Sequence, residues 1–308
     1  MDIASIGSIL QTSLELGLIS SLTVLALFLS YSMLGVCDLS TDGCFTLGAA
    51  TGAMVALTGH PFLAIPAAMV VGMLSGFITG LLQTKMGIDS LLAGIIVNTG
   101  LYSVNIAVMG KSSLINLNKT TTIFSMLKDS LKGTALAGQY GLIIALAAVL
   151  LVVIFLGFFL KTRLGLAIRA TGNNPDMVRS SSINPVFTTL VGLVIANAFT
   201  ALSGCLLGQF QKSANIDIGT GMVTIALASL LIGEVFIRRG PIGLKAVGAV
   251  IGAIVFRIVY AVALRFNMPA FMLKLVSSVI VIIAISGPYL KKQMPLLMRR
   301  MAFNSEGK

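Results

Sequence analysis

The chain has 308 residues, 56% of them hydrophobic and only 10% charged, and its mean hydropathy is +1.01. Soluble domains carry about 25% charged residues, so a water-soluble core could not hide this much apolar surface, and the composition points to an integral membrane protein. The net charge of +11 argues for basic loops on one side of a membrane rather than for a nucleic-acid partner.

The N-terminal stretch MDIASIGSILQTSLELG contains no Lys or Arg. It lacks the basic region of a signal peptide, so no cleavage is expected. Nine apolar segments follow, at 14–34, 43–58, 62–84, 88–109, 140–160, 186–208, 220–236, 242–264 and 271–290. A helix needs about 20 residues to cross the hydrocarbon. The segments at 43–58 and 220–236 are short and begin with polar residues, which predicts broken or re-entrant helices. The expected fold is all-α: one polytopic membrane domain with eight to nine membrane segments. Gly72, Gly76 and Gly80 share one helix face, and Gly48/Gly52, Gly204/Gly208 and Gly248/Gly252 do so once each. Such faces admit close backbone approach, within one chain or between subunits. Cys37, Cys44 and Cys205 sit in or beside apolar segments without metal-ligand spacing and read as small buried side chains.

Residues 110–139 are polar and rich in Thr, Ser and Lys, and read as either a small cap or a mobile connector. The next polar interval, 161–185, carries Lys161, Arg163, Arg169 and Arg179 against Asp176. It also holds a helix-start signal. Asn174 can cap the first turn, Pro175 suits the first helical position, and Asp176 suits the positive helix end. A short helix is predicted from Pro175 to about Ser181, with Asn184-Pro185 as a stop. If 161–185 is cytoplasmic and the segments alternate, the cytoplasm receives 13 of the 21 cations. They are Lys85, the four above, Arg238, Arg239, Lys245, Lys291, Lys292, Arg299, Arg300 and Lys308. Lys111, Lys119, Lys128, Lys132, Lys212 and Arg265 face outside. The N-terminus is then out and the C-terminus in.

The two short segments begin alike. In DLSTDGCFTL (38–47) and DIGTGMVTI (217–225), Asp38, Thr41, Gly43 and Thr46 match Asp217, Thr220, Gly221 and Thr224 with one residue skipped. The four-segment units around them, 14–109 and 186–290, have opposite orientation, the pattern of an inverted repeat whose broken helices mark a pathway. Asp38, Thr41, Asp42, Gly43, Asp217, Thr220 and Gly221 are the candidate path residues. Other ionisable groups in apolar surroundings are Glu234, Arg257 and Lys274. Arg257 is the deepest cation; the expectation is an ion pair to Asp217 or Asp42 or a place on the substrate path. For Glu234 the expected partner is Arg238 at i+4. Asn98, Asn105 and Asn197 could bond between helices or line a path. There is no phosphate-cradling G-x-x-x-x-G-K-[ST] sequence, no H-E-x-x-H, and one histidine, His60, at a predicted turn. Neither a catalytic set nor a metal site is expected. A membrane subunit without transport is made unattractive by the broken segments. A secondary transporter driven by an ion gradient stays open, with Asp42 or Glu234 carrying a proton.

The run GLAIRATGNNPDMVRSSSIN at 165–184 resembles the cytoplasmic coupling region of ABC-importer permeases of the branched-chain amino acid and ribose superfamily. DLSTDGCFTLGAA (38–50), IALASLLIGEVF (225–236) and VFRIVYAVAL (255–264) resemble a narrower group, the permeases of tryptophan/tyrosine-type importers. The resemblance spans about 14–292. It implies a permease for an amino acid, aromatic by preference, with branched-chain amino acids, a nucleoside or a sugar open. It further implies a second permease subunit, two cytoplasmic ATPase subunits that bind ATP and Mg in this chain's stead, and a substrate-binding lipoprotein outside. The coupling contact would then involve Arg169, Gly172, Asn173, Asn174, Pro175, Asp176, Met177, Arg179 and Ser180. Ser182 departs from the pattern, since many relatives have Gly before Ile-Asn, and serine accepts a left-handed backbone less readily.

Overall fold

The computed structural model describes residues 3–132, 138–237 and 240–265, with single positions at 275, 278, 279, 282 and 286. Most of the ninth apolar segment, Arg238, Arg239, Lys274 and the C-terminal cations lie outside the described residues. The order is α1 (Ile3–Leu27, continued by a π-helix, Phe28–Met33), α2 (Thr41–Leu57), α3 (Ala64–Thr84), α4 (Ser90–Val108), β1 (Leu114–Asn116), α5 (Ile123–Ser130) and α6 (Tyr140–Phe159). Then come α7 (Arg163–Asn173), α8 (Pro175–Ser180), α9 (Pro185–Gln211), β2 (Ser213–Asn215), α10 (Met222–Phe236) and α11 (Ile242–Arg265). Among the described residues, six helices are long and apolar enough to cross a membrane.

The central pair is α1 and α9, the most enclosed of the six. Ser203 on α9 donates to the Ile19 carbonyl of α1 at 2.7 Å. Small residues set the closest crossings. A side chain at Gly48 would enter the Ala201 carbonyl, and one at Gly204 the Phe45 carbonyl, so α2 and α9 touch backbone to backbone. Gly72 and Gly76 place α3 against Asn197 and Leu193 of α9, and Gly252 places α11 against Ser229 of α10. The glycine faces read from the sequence therefore serve packing within one chain. Across the bundle, α3 packs on α9 and α11 packs on α1.

The bundle has two ends. At one, Gln11 donates to the Gly138 carbonyl, Glu15 lies over Gly141, and β1 pairs antiparallel with β2. Here 110–132 forms a structured cap. Thr122 and Ser125 make a capping box that starts α5, Gln209 accepts the Ile123 N–H at 3.1 Å, and Ile115 and Leu117 are buried beside Ala49 and Ala53 of α2. Lys132 sits 2.6 Å from Asp129 and holds that fully exposed carboxyl below the usual range. The two-stranded ribbon is the one departure from an all-helical chain among the described residues. At the opposite end lie the π-helix of α1, α7, α8 and the start of α11. Lys111, Lys119 and Lys128 belong to the first end, and Lys161, Arg163, Arg169, Arg179 and Lys245 to the second.

Candidate functional site

Both short helices begin at mid-depth, and their beginnings meet. The chain leaves the π-helix at Met33 and runs non-helically through 34–40 beside the middle of α9. Asp38 fixes this run. Its Oδ1 accepts the Ser40 N–H and Oγ–H at 2.8 and 2.6 Å, its Oδ2 accepts from Asn197 Nδ2 at 2.7 Å, and Thr41 Oγ1 donates to its carbonyl. From the other end, the chain returns through 213–221 to start α10, with Gly221 in the left-handed region at φ +84°. Asp42, in the first turn of α2, caps that start. Its Oδ2 accepts the Gly221 N–H and its Oδ1 the Val223 N–H, both at 2.8 Å. A helix N-terminus exposes unpaired N–H groups and a partial positive charge, so a carboxylate is the side chain best suited to it. Thr46 adds to the joint by accepting the Gly219 N–H at 3.2 Å and donating to the Asp42 carbonyl.

A polar cavity of about 320 Å³ opens at this meeting point. Asp42, Gly43 and Thr46 line it from α2, and Asn98, Thr99, Tyr102 and Asn105 from α4. Asp217 and Thr220 close it from the turn that follows β2. Five of the seven path candidates thus line or adjoin one space: Asp42, Gly43, Asp217 and Thr220 directly, and Gly221 through its bond to Asp42. Asp38 and Thr41 are 2% exposed and sit beneath it as structural anchors. Asn98 and Asn105, read from the sequence as bonding between helices or lining a path, both line this cavity, and Asn105 also bonds across to the Gly43 carbonyl. Thr99 and Tyr102 carry no sequence signal beyond lying next to Asn98 and one turn after it.

Arg257 corrects an expectation. Its Nε donates to Ser20 Oγ of α1 at 3.3 Å, and its guanidinium lies 6.0 Å from the Tyr260 ring. It pairs with neither Asp42 nor Asp217. A hydroxyl and a ring face stabilise the cation with no buried counter-ion to desolvate. Glu234 lines a second cavity, of about 210 Å³, with Ser32, Met33 and Lys245, and accepts from Ser32 Oγ at 3.1 Å.

This second cavity neighbours the basic interval. α7 was not predicted. Thr162 caps it by accepting the Gly165 N–H, and Ile168 and Thr171 face inward, Thr171 within 2.8 Å of Thr188 on α9. A side chain at Gly172 would enter the Met33 carbonyl, so α7 abuts the end of α1 with no side chain between them. Asn174 then caps α8, accepting from Asp176 and Met177 N–H at 3.1 and 3.0 Å, with Pro175 at the first helical position. The helix ends at Ser180, one residue before the expected end near Ser181. Ser182, at φ +62°, takes the left-handed position, and the Ile183 and Ser182 N–H groups bond back to Val178 and Arg179 carbonyls. This is a Schellman ending with serine in the place of the usual glycine. Asn184-Pro185, read as a stop, instead starts α9, where Asn184 accepts the Val186 N–H at 3.0 Å. Val178 is buried and anchors α8. Asn173, Asn174, Pro175, Asp176, Met177, Arg179 and Ser180 are exposed, whereas Arg169 and Gly172 are partly covered. Leu166, Ile183 and Phe187 are also exposed around them, an apolar rim the sequence reading did not include.

Among the described residues, six membrane-length helices, two shorter ones whose starts meet, and a polar cavity at that junction describe a membrane permease. A family model described as "branched-chain amino acid transport system / permease component" matches residues 9–285, and the chain belongs to that family. It is 32% identical over 266 residues to the tyrosine transport system permease protein of Clostridioides difficile, covering 86% of each chain. It is 30% identical over 284 residues to an uncharacterised protein of Rickettsia prowazekii, covering 91% of this chain and 98% of the relative. It is 29% identical over 191 residues to a nucleoside ABC transporter permease protein of Lactococcus lactis, covering 54% of this chain and 50% of that one. No solved structure matches it.

Proposed function

We propose that this chain is the permease of an ATP-driven importer of an aromatic amino acid, tyrosine or tryptophan. The observation that carries the ATP-driven part is the basic end of the bundle. A pre-capped, solvent-exposed helix, α8, follows a helix that abuts the broken end of α1, and that break leads to the polar cavity. An ion-coupled carrier has no use for this arrangement. The name of the tyrosine system relative supports an aromatic cargo. The nucleoside system relative favours a nucleoside as the second reading.

On this reading 161–185 and 291–308 are cytoplasmic, 110–139 is outside, and the units 14–109 and 186–290 are inverted halves of one permease domain. Two ATPase subunits, with ATP and Mg bound to them, receive α8, while a lipoprotein delivers cargo at the capped end. α4 exposes Thr99, Tyr102 and Ser103 at mid-depth. Polar groups there are costly against lipid, which favours a second copy of this chain on that face. For the orientation, single cysteines at Ser112 and Ser180, with the native three replaced, should label from opposite sides with impermeant reagents. Labelling of both from outside would reverse the assignment.

The coupling role has its own test. Arg179 is exposed beside Met177, so a charge reversal changes the surface without touching the core. Loss of a buried interfacial pair costs about 2–5 kcal/mol. Arg179→Glu should therefore reduce ATPase copurification, or uncouple hydrolysis from uptake in reconstituted vesicles, with binding-protein docking unchanged. Wild-type transport by a chain lacking 174–181 would sink the ATP-driven reading in favour of a secondary transporter.

A further inference from the structure

The two carboxylates on the wall of the polar cavity differ in kind. Asp42 is committed to the first turn of α10, whose N–H groups neutralise it. Asp217 is exposed, and among the described residues it has no ion-pair partner, the one such pair being Lys132–Asp129. No Lys or Arg lines the cavity. A second observation comes from the facing helix. Asn105 is 2% exposed and lines the same cavity; its Nδ2 donates to the Gly43 carbonyl at 3.1 Å, and its Oδ1 has no partner. A buried amide oxygen left without a donor is unfavourable, by about 1–3 kcal/mol, and such an acceptor calls for an explanation. Asp217 is thus a free, charged acceptor on this space beside the exposed Tyr102 ring, and the unpartnered Asn105 Oδ1 lies within its wall.

We propose that this cavity is an ammonium subsite on the translocation route, in which Asp217 and Asn105 Oδ1 hold the charged amine of the cargo. The inference rests on the amino-acid reading of the cargo and adds which end of the molecule the permease recognises. An ammonium group has three donors and no acceptor, which matches a wall of acceptors. Its attraction to Asp217 is stronger at a protein wall of lower dielectric than in bulk water. A neutral sugar can donate its hydroxyls to these acceptors but brings no opposite charge, and an anion is repelled. Selection by the permease would then fall on the amine, leaving the side chain of the cargo to other contacts.

Thr99 lines the cavity and is exposed, so Thr99→Cys can report its potential. The chain would carry serine at Cys37, Cys44 and Cys205 and be studied as the assembled complex in vesicles. Labelling rates with methanethiosulfonate ethyltrimethylammonium and methanethiosulfonate ethylsulfonate are compared, each normalised to Ser112→Cys at the capped end. The cationic reagent should be favoured about tenfold at Thr99→Cys, the lower end of what a charged cleft achieves. Adding Asp217→Asn should bring the ratio close to that of the reference. A ratio at Thr99→Cys no greater than at the reference, or one indifferent to Asp217→Asn, overturns the subsite. L-tyrosine should slow labelling, and 3-(4-hydroxyphenyl)propionate, which lacks the amine, should not; Asn105→Leu should weaken the protection. Equal protection by both compounds also overturns it. A cation preference that depends on Asp217, with no protection by L-tyrosine or L-tryptophan, upholds the amine subsite and removes the aromatic cargo.

Discussion

Gly204→Val should abolish accumulation of the protein in the membrane. The α2–α9 crossing has no room for a side chain: Gly204 lies on the Phe45 carbonyl and Gly48 on the Ala201 carbonyl, backbone against backbone. Neither obstacle is the tip of a flexible side chain, so relief requires the two helices to separate along their length. Separation would also part Gly52 from Cys205 and disturb the bond from Cys44 Sγ to the Asn197 carbonyl. Ordinary overpacking of a core costs about 1–3 kcal/mol; an obstructed backbone crossing exceeds that range and consumes a large part of the roughly 5–15 kcal/mol that holds a typical domain folded. Detergent extracts should show degraded or aggregated chain, and Gly48→Val should behave alike. Gly100→Val is the control, because nothing lies within 4 Å of a side chain there. A monodisperse, transport-competent Gly204→Val protein would mean that this crossing does not organise the bundle.

Asp42→Ala should cut uptake by one to two orders of magnitude while leaving the protein assembled. The change strips the Gly221 and Val223 N–H groups of their acceptor inside the membrane. Leaving a buried donor unsatisfied costs about 1–3 kcal/mol, and losing the charge at the helix start adds up to ~2 kcal/mol. The penalty falls on the joint between α2 and α10 rather than on the helix crossings, so the loss should be functional. Two measurements together decide it: uptake in vesicles, and hydrogen exchange of the first-turn amides of α10, which should quicken. Asp42→Asn keeps one acceptor and should fall between. Unchanged exchange in Asp42→Ala would show that water replaces the carboxylate and that the joint is not a cap.

What the sequence revealed was what depends on neighbours along the chain. The breaks before α2 and α10, the Asn174-Pro175-Asp176 start and the glycine faces are all short-range patterns, and each has its counterpart in the fold. The missed features depend on distant partners. Nothing local at Asp42 says that its carboxylate will meet residues 221 and 223. Arg257 invited an acidic partner by charge alone, yet found Ser20 and Tyr260. α7 was hidden because the interval was weighed by its cations, although Leu164, Ile168 and Thr171 recur on one face below a Thr162 cap. β1 and β2, three residues each, are too short to show a periodicity.

The contact of Gly172 with the end of α1 has a mechanical meaning. Side chains between two helices act as springs: they change rotamer and absorb a displacement before the next backbone feels it. Here there is no such compliance, because Gly35 and Gly172 also face each other across the same gap, the Gly172 carbonyl lying 3.3 Å from where a Gly35 side chain would begin. A push on α8 is passed through α7 into the chain just before Asp38, four residues ahead of the carboxylate that pins α10. In the proposed importer the drive train therefore has little backlash, and even a stroke of an ångström or so at the ATPase would arrive at the cavity undiminished.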